Sequence, residues 1–167
     1  MSRYGIRACD IANLTFSNID FDNNRISFVQ RKTGILWQGK MLSEIRTALE
    51  DYIKNVRPSI DSQRIFITLG IPYKPIDYRI INTMINAAFK KSGVSIEGKK
   101  HGSRSFRSSV ASNMINDCFS TEIVRRVLGH ENKYALKHYT KMDIENLRLC
   151  SLSVPKPQGM FFELLKG

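Results

Sequence analysis

Leu128-Gly129-His130-Glu131-Asn132-Lys133-Tyr134-Ala135-Leu136-Lys137-His138-Tyr139-Thr140 is the stretch on which the reading of this chain turns. Before it, Ile123, Val124, Val127 and Leu128 recur at helical spacing, and Ser120 or Thr121 stands where a helix cap belongs. Gly129 breaks that helix. Leu136 and Tyr139 then share one face of a short helical segment. His130 precedes Tyr139 by nine residues. Read singly, each of these side chains is a structural histidine or a packing tyrosine. Their company is what raises a chemical reading.

Upstream, another helix carries Phe106, Val110 and Met114 on one face. It follows a basic, polar stretch, Glu97-Gly98-Lys99-Lys100-His101-Gly102. An earlier helix has the stripe Ile81, Met84, Ile85 and Ala88, opened by Pro75 and ended by Gly93. Arg64 to Leu69 is a short strand candidate. Ile45, Ala48, Leu49, Tyr52, Ile53 and Val56 make one more amphipathic helix, capped by Ser43 and closed by Pro58. Before it, Arg25 to Arg31 alternates, with Ile26 and Phe28 on one face and Ser27 and Val29 on the other. Lys32-Thr33-Gly34 turns the chain into a return strand over Ile35 to Leu42. Asp22-Asn23-Asn24 is a turn, and Asp10 to Leu14 a short helical segment. The pattern predicts a mostly α fold with a small antiparallel β-sheet, an α+β class.

The chain has 167 residues, enough for one domain with its own core. Lys and Arg number 26 against 15 Asp and Glu, a formal net charge of +11. Such an excess favours a polyanionic partner, of which nucleic acid is the first choice, over a basic surface kept for solubility. Cys9, Cys118 and Cys150 are odd in number and far apart. They read as reduced, buried thiols in a reducing cytoplasm, and no pair has zinc-ligand spacing. No apolar run is long enough to span a membrane.

The sequence resembles the tyrosine recombinase, or phage integrase, family. In that family a Leu-Gly-His box precedes the nucleophilic tyrosine by the interval seen here. Gly5-Ile6-Arg7-Ala8-Cys9-Asp10 resembles the first arginine box. Gln30-Arg31-Lys32-Thr33-Gly34 resembles the hairpin that carries the catalytic lysine. The second arginine has two registers. His101-Gly102-Ser103-Arg104 fits the string His-x-x-Arg literally, but puts Arg104 26 residues before His130, longer than the family's usual interval. Arg104-Ser105-Phe106-Arg107 puts Arg107 23 residues before His130 and supplies the apolar residue the family has there. The second register is the better fit. It leaves an arginine, Arg104, at the family's histidine position, and an arginine stays protonated near neutral pH.

The resemblance implies the tyrosine recombinase catalytic-domain fold over residues 1–155, without the first helix and the N-terminal DNA-embracing domain of family members. Residues 156–167 are a C-terminal tail, expected to dock in trans or fold back on the chain. It implies site-specific recombination of double-stranded DNA, integration included, by a homo-oligomer, a dimer or tetramer on DNA. The setting is the cytoplasm of a prokaryotic cell, or a phage or mobile element. Tyr139 would attack a phosphodiester and form a 3′-phosphotyrosine. A phenol with an ordinary value near ~10 needs help to do this. Arg7, Arg107 and Arg104 would hold the non-bridging oxygens, His130 would bond one of them, and Lys32 would protonate the leaving 5′ oxygen. Asp10 would orient Arg7. The covalent intermediate conserves the bond energy, so neither a cofactor nor a metal is expected. Two other readings stay open: a type IB topoisomerase-like DNA-relaxing enzyme and a recombinase fragment that only binds DNA.

Overall fold

The computed structural model describes residues 1–95, 97–99 and 101–129. Among these residues, five α-helices and a three-stranded sheet follow one another in the order α1 (Ala8–Ala12), β1 (Ile19–Asp20), β2 (Arg25–Val29), β3 (Leu36–Lys40), α2 (Ser43–Asp51), α3 (Tyr78–Lys91), α4 (Ser103–Asn116) and α5 (Thr121–Leu128). The mostly helical class and the small antiparallel sheet are as the sequence predicts.

The sheet is a meander in which β2 pairs with β1 on one side and with β3 on the other. Phe28 lies opposite Trp37, and Ile26 opposite Gly39. The period-2 alternation sends Ile26, Phe28 and Trp37 inward, where they join Ile6, Leu14, Met41, Leu49 and Ile65 in the main core. Phe28 stacks on Trp37 with ring centres 5.3 Å apart, and Tyr4 meets the same indole edge-on at 5.5 Å. The Tyr4 hydroxyl donates to the Lys40 carbonyl at 2.7 Å and accepts from the Leu42 amide at 3.0 Å. These bonds tie the N-terminal segment to the end of β3. The outer sheet face leaves Val29 and Leu36 exposed.

α2 packs Ile45 and Leu49 on this core. Its cap differs from the expectation. Ser43 is the first helical residue, and Leu42 is the N-cap, with no side-chain bond. The helix widens into a π-type segment over Tyr52–Val56, and Arg57 then turns extended ahead of Pro58. Arg64 to Leu69 does not form a strand. It makes two isolated bridges, Thr15 with Arg64 and Ile67 with Pro75. Arg57 takes up the carbonyls of Ser62, Arg64 and Ile65 at 2.9, 3.0 and 3.0 Å, which a sheet partner would otherwise satisfy. Pro75 therefore sits in extended chain, and α3 starts later, capped by the Asp77 carboxylate on the Arg79 amide.

α4 and α5 pack on each other around a small core of Ala111, Val124 and Leu128. Val124 and Leu128 are fully buried, and each such side chain stabilises by about 2 kcal/mol. Ser120 caps α5 through its hydroxyl, and Gly129 ends it in the left-handed conformation. The indole N–H of Trp37 donates to the Val127 carbonyl at 3.1 Å, which joins the sheet to the last turn of α5. Cys9 is half-buried, but Cys118 is exposed, contrary to the expectation of buried thiols. Cys150, the segment carrying Leu136 and Tyr139, and the tail at 156–167 lie outside the described residues.

Trp37→Phe keeps the ring stack and removes the donor to Val127. The expected loss is about 2 kcal/mol, read from the urea midpoint. A second test concerns pH. Hydrogen bonds from Arg125 and then Arg126 lower the exposed Glu122 carboxyl from 4.5 to about 2. Its folded value lies below its unfolded one, so its contribution is present above about pH 4.5 and vanishes as pH falls to about 2. Glu122→Gln is expected to flatten the dependence of the urea midpoint on pH across that window.

Candidate active site

The first arginine box begins with a close approach. Gly5 has φ +63, and a β-carbon there would lie 2.6 Å from Leu128 Cδ2. Only glycine fits both the dihedral and the space. The chain then extends through Arg7, which is the N-cap of α1. From this position the Arg7 guanidinium reaches two other segments. Its Nη1 donates to Gln30 Oε1, and its Nη2 donates to the Gly129 carbonyl at 3.3 Å.

Arg107 approaches the same place from α4. It is buried, with 7% of its surface exposed. Its Nη1 donates to the Gly5 carbonyl at 2.8 Å and its Nη2 to the Leu128 carbonyl at 2.6 Å. One guanidinium fork thus joins the arginine box to the C-terminal end of α5. That end is where a helix leaves carbonyls without amide partners and carries its partial negative charge. Cations belong there.

The hairpin supplies the third side. Gln30 follows Ile26 and Phe28 on the inward face and is 3% exposed. Its Nε2 donates to the Leu128 carbonyl at 3.3 Å, and its Oε1 accepts from the Thr33 hydroxyl at 3.0 Å as well as from Arg7. A β-carbon on Gly129 would collide with this amide, and Gly129 has φ +64. Lys32 lies exposed in the turn that Gln30 anchors. Arg7, Arg107 and the Lys32 turn therefore surround Leu128-Gly129, directly before His130.

Asp10 is buried in the first turn of α1. Its Oδ1 accepts from the Arg31 amide at 2.9 Å. Its Oδ2 lies 3.9 Å from Arg7 Nη1 and makes no hydrogen bond among the described residues. The carboxylate fixes the hairpin backbone and sits beside Arg7 without a full ion pair to it. Burial, and then the Asp10 carboxylate, push the neighbouring Cys9 thiol up, so Cys9 stays a packed thiol.

Of the remaining candidates, Arg104 is exposed on α4, one turn before Arg107. His101 is exposed ahead of the helix, its Nδ1 3.1 Å from the Lys99 carbonyl. Of the arginines in the two registers, Arg107 bonds the Leu128 carbonyl, whereas Arg104 is exposed. His130 and Tyr139 lie outside the described residues. Sequence reasoning took Gln30 only as part of the hairpin motif. The available signal was its place on the inward face, where a polar side chain needs partners.

The model of the phage integrase family matches residues 1–146. The chain belongs to that family. A Sinorhizobium fredii protein named as an integrase/recombinase is 25% identical over 155 residues, covering 93% of this chain and 79% of that protein. The tyrosine recombinase XerC of Lactobacillus leichmannii is 27% identical over 149 residues, covering 86% of this chain and 48% of XerC. This family member therefore spans about half the length of XerC. Among solved structures, XerA recombinase superposes with a TM-score of 0.69 at 22% identity, over 88% of this chain and 52% of that one. XerH site-specific recombinase, in a post-cleavage complex with a palindromic difH substrate, gives 0.70 at 16% identity, over 89% and 42%. These likenesses establish the fold.

Arg107→Lys is expected to destabilise the chain by about 1–3 kcal/mol, because an ammonium cannot bridge two carbonyls as a planar fork does. Arg104→Ala is expected to cost no more than about 0.5 kcal/mol. Urea denaturation of the two variants side by side makes the comparison. Equal losses would mean that Arg107 does not join the two segments.

Proposed function

We propose that this chain is the catalytic part of a site-specific DNA recombinase that cuts and rejoins double-stranded DNA through a 3′-phosphotyrosine at Tyr139. The observation that carries the reading is the convergence of Arg7 and Arg107 on the last carbonyls of α5, immediately before His130. The family match and the Leu-Gly-His to tyrosine interval add to it.

The chemistry runs as an exchange of oxygens on one phosphorus. The Tyr139 oxygen attacks, its proton passes to water, and the P–O5′ bond breaks. The 5′ oxygen takes a proton from Lys32. A 5′ hydroxyl from a second strand then attacks the phosphotyrosine and reverses the roles. Negative charge builds on the non-bridging oxygens, and Arg7 and Arg107 supply fixed positive charge for it, each such donor worth about 3–4 kcal/mol in the transition state. His130 completes the set by bonding a non-bridging oxygen. Arg104, exposed on the same helix as Arg107, adds charge or grips the backbone beside the cut.

XerH is described with its DNA substrate, and a dimer of lambda integrase with a core site. By that likeness the partners here are double-stranded DNA and further copies of the chain, and the proposed setting is the cytoplasm of a prokaryotic cell. No helix among the described residues is long and apolar enough to cross a membrane. The net charge of +11 suits the phosphate backbone, and binding should weaken with salt as counterions are released.

The test is a nicked suicide duplex that traps the covalent state. The chain is expected to give a denaturation-resistant adduct on the 3′ side of the cut, and Tyr139→Phe to abolish it. An adduct that survives in Tyr139→Phe would remove the tyrosine from its role. Relaxation of a supercoiled plasmid without paired sites would favour the topoisomerase-like reading instead.

A further inference from the structure

We propose that Gln30 is a positioning residue whose buried amide docks the Lys32 turn onto Arg7 and the α5 C-terminus. The inference rests on the reading of Lys32 as the acid for the leaving oxygen.

Gln30 holds the base of the turn through both its backbone and its side chain. The Gln30 amide donates to the Ile35 carbonyl at 2.9 Å, and the Gly34 amide donates to the Gln30 carbonyl at 2.8 Å. Its side-chain oxygen takes the Thr33 hydroxyl from within the turn and the Arg7 guanidinium from outside it. Its side-chain nitrogen takes the Leu128 carbonyl. Residues 31 to 34 are otherwise anchored through the Arg31 amide on Asp10. The position of Lys32 is thereby set relative to the arginines, rather than left to a free hairpin tip.

The amide suits this place for a chemical reason. It must accept from a cation and a hydroxyl while donating to a carbonyl. A carboxylate accepts but cannot donate, and it would neutralise Arg7 beside the phosphate site. A methionine fills the space and does neither. The neutral amide orients Arg7 and leaves its charge available.

The experiment compares Gln30→Met and Gln30→Glu with Lys32→Ala in single-turnover cleavage of saturating suicide duplex. Each is run with the ordinary 5′ oxygen and with a bridging 5′-phosphorothiolate, whose sulfur leaves without a proton donor. A displaced Lys32 turn is expected to slow oxygen cleavage about a hundredfold. It should recover most of that loss on sulfur, in parallel with Lys32→Ala. Amide exchange is measured on the same proteins. The Arg31 and Gly34 amides are expected to exchange faster in Gln30→Met, while Phe28 in the middle of β2 stays protected. In Gln30→Glu, which also neutralises Arg7, cleavage is expected to stay slow on both substrates; equal losses on both substrates in Gln30→Met, or unchanged exchange at Arg31 and Gly34, would overturn the proposal. Failure of sulfur to restore Lys32→Ala would instead sink the acid reading of Lys32, and the exchange rates would then decide the docking role of Gln30 by themselves.

Discussion

The end of α5 is the point on which the rest of the arrangement depends. A helix that stops leaves its last carbonyls facing outward, and burial makes them expensive unless donors reach them. Here the Leu128 carbonyl takes Arg107 and Gln30, and the Gly129 carbonyl takes Arg7. The donors come from α4, the β2–β3 hairpin and the N-terminal segment. These three parts are distant in sequence, and the N-terminal segment and the hairpin also share the main core through Ile6, Phe28 and Trp37. One helix terminus therefore gathers the fold's polar side chains into one place.

Close packing there explains the two glycines that matter. A side chain at residue 5 would strike Leu128, and one at residue 129 would strike Gln30. Both positions also need a positive φ. The short segment from Gly5 to Arg7 then runs close enough to α5 for a guanidinium to span the gap. Trp37 does the same from the sheet, with its indole on the Val127 carbonyl. Successive carbonyls at residues 127, 128 and 129 thus take donors from the β2–β3 hairpin, from α4 and from the N-terminal segment. Movement of the α5 terminus would be felt in all of them.

Much of this was legible in the sequence, and the misses have physical causes. The hairpin showed in the alternation of Ile26, Phe28, Ser27 and Val29 and in the turn at Lys32-Thr33-Gly34. The α5 boundary showed in Ser120 and Gly129. Arg107 was favoured over Arg104 by spacing, and burial separates the two clearly. Arg64 to Leu69 failed as a strand because Arg57 satisfies its carbonyls, a partnership across the chain that local pattern does not contain. Ser43 looked like a cap, but the helix begins one residue earlier than that role requires. Gln30 reads only as the first residue of the hairpin motif, which does not tell its own role. Its importance comes from partners at residues 7, 33 and 128, which only the fold brings together.

The same geometry bears on how a site keeps positive charge. Two guanidiniums converge beside one helix end, and the simplest way to steady them would be a pair of carboxylates. Among the described residues Asp10 lies beside Arg7, at 3.9 Å, and one of its oxygens is spent on the Arg31 amide. Among the described residues, backbone carbonyls and a neutral amide hold the two arginines. Carbonyl dipoles orient a cation and lower its energy without cancelling its charge. A carboxylate pair would cancel it and leave little field for an incoming phosphate. Donors fixed in this way need no reorganisation when charge develops on a substrate, which is where electrostatic stabilisation is most effective. Holding the arginines with helix carbonyls thus serves the fold and the phosphate with the same bonds.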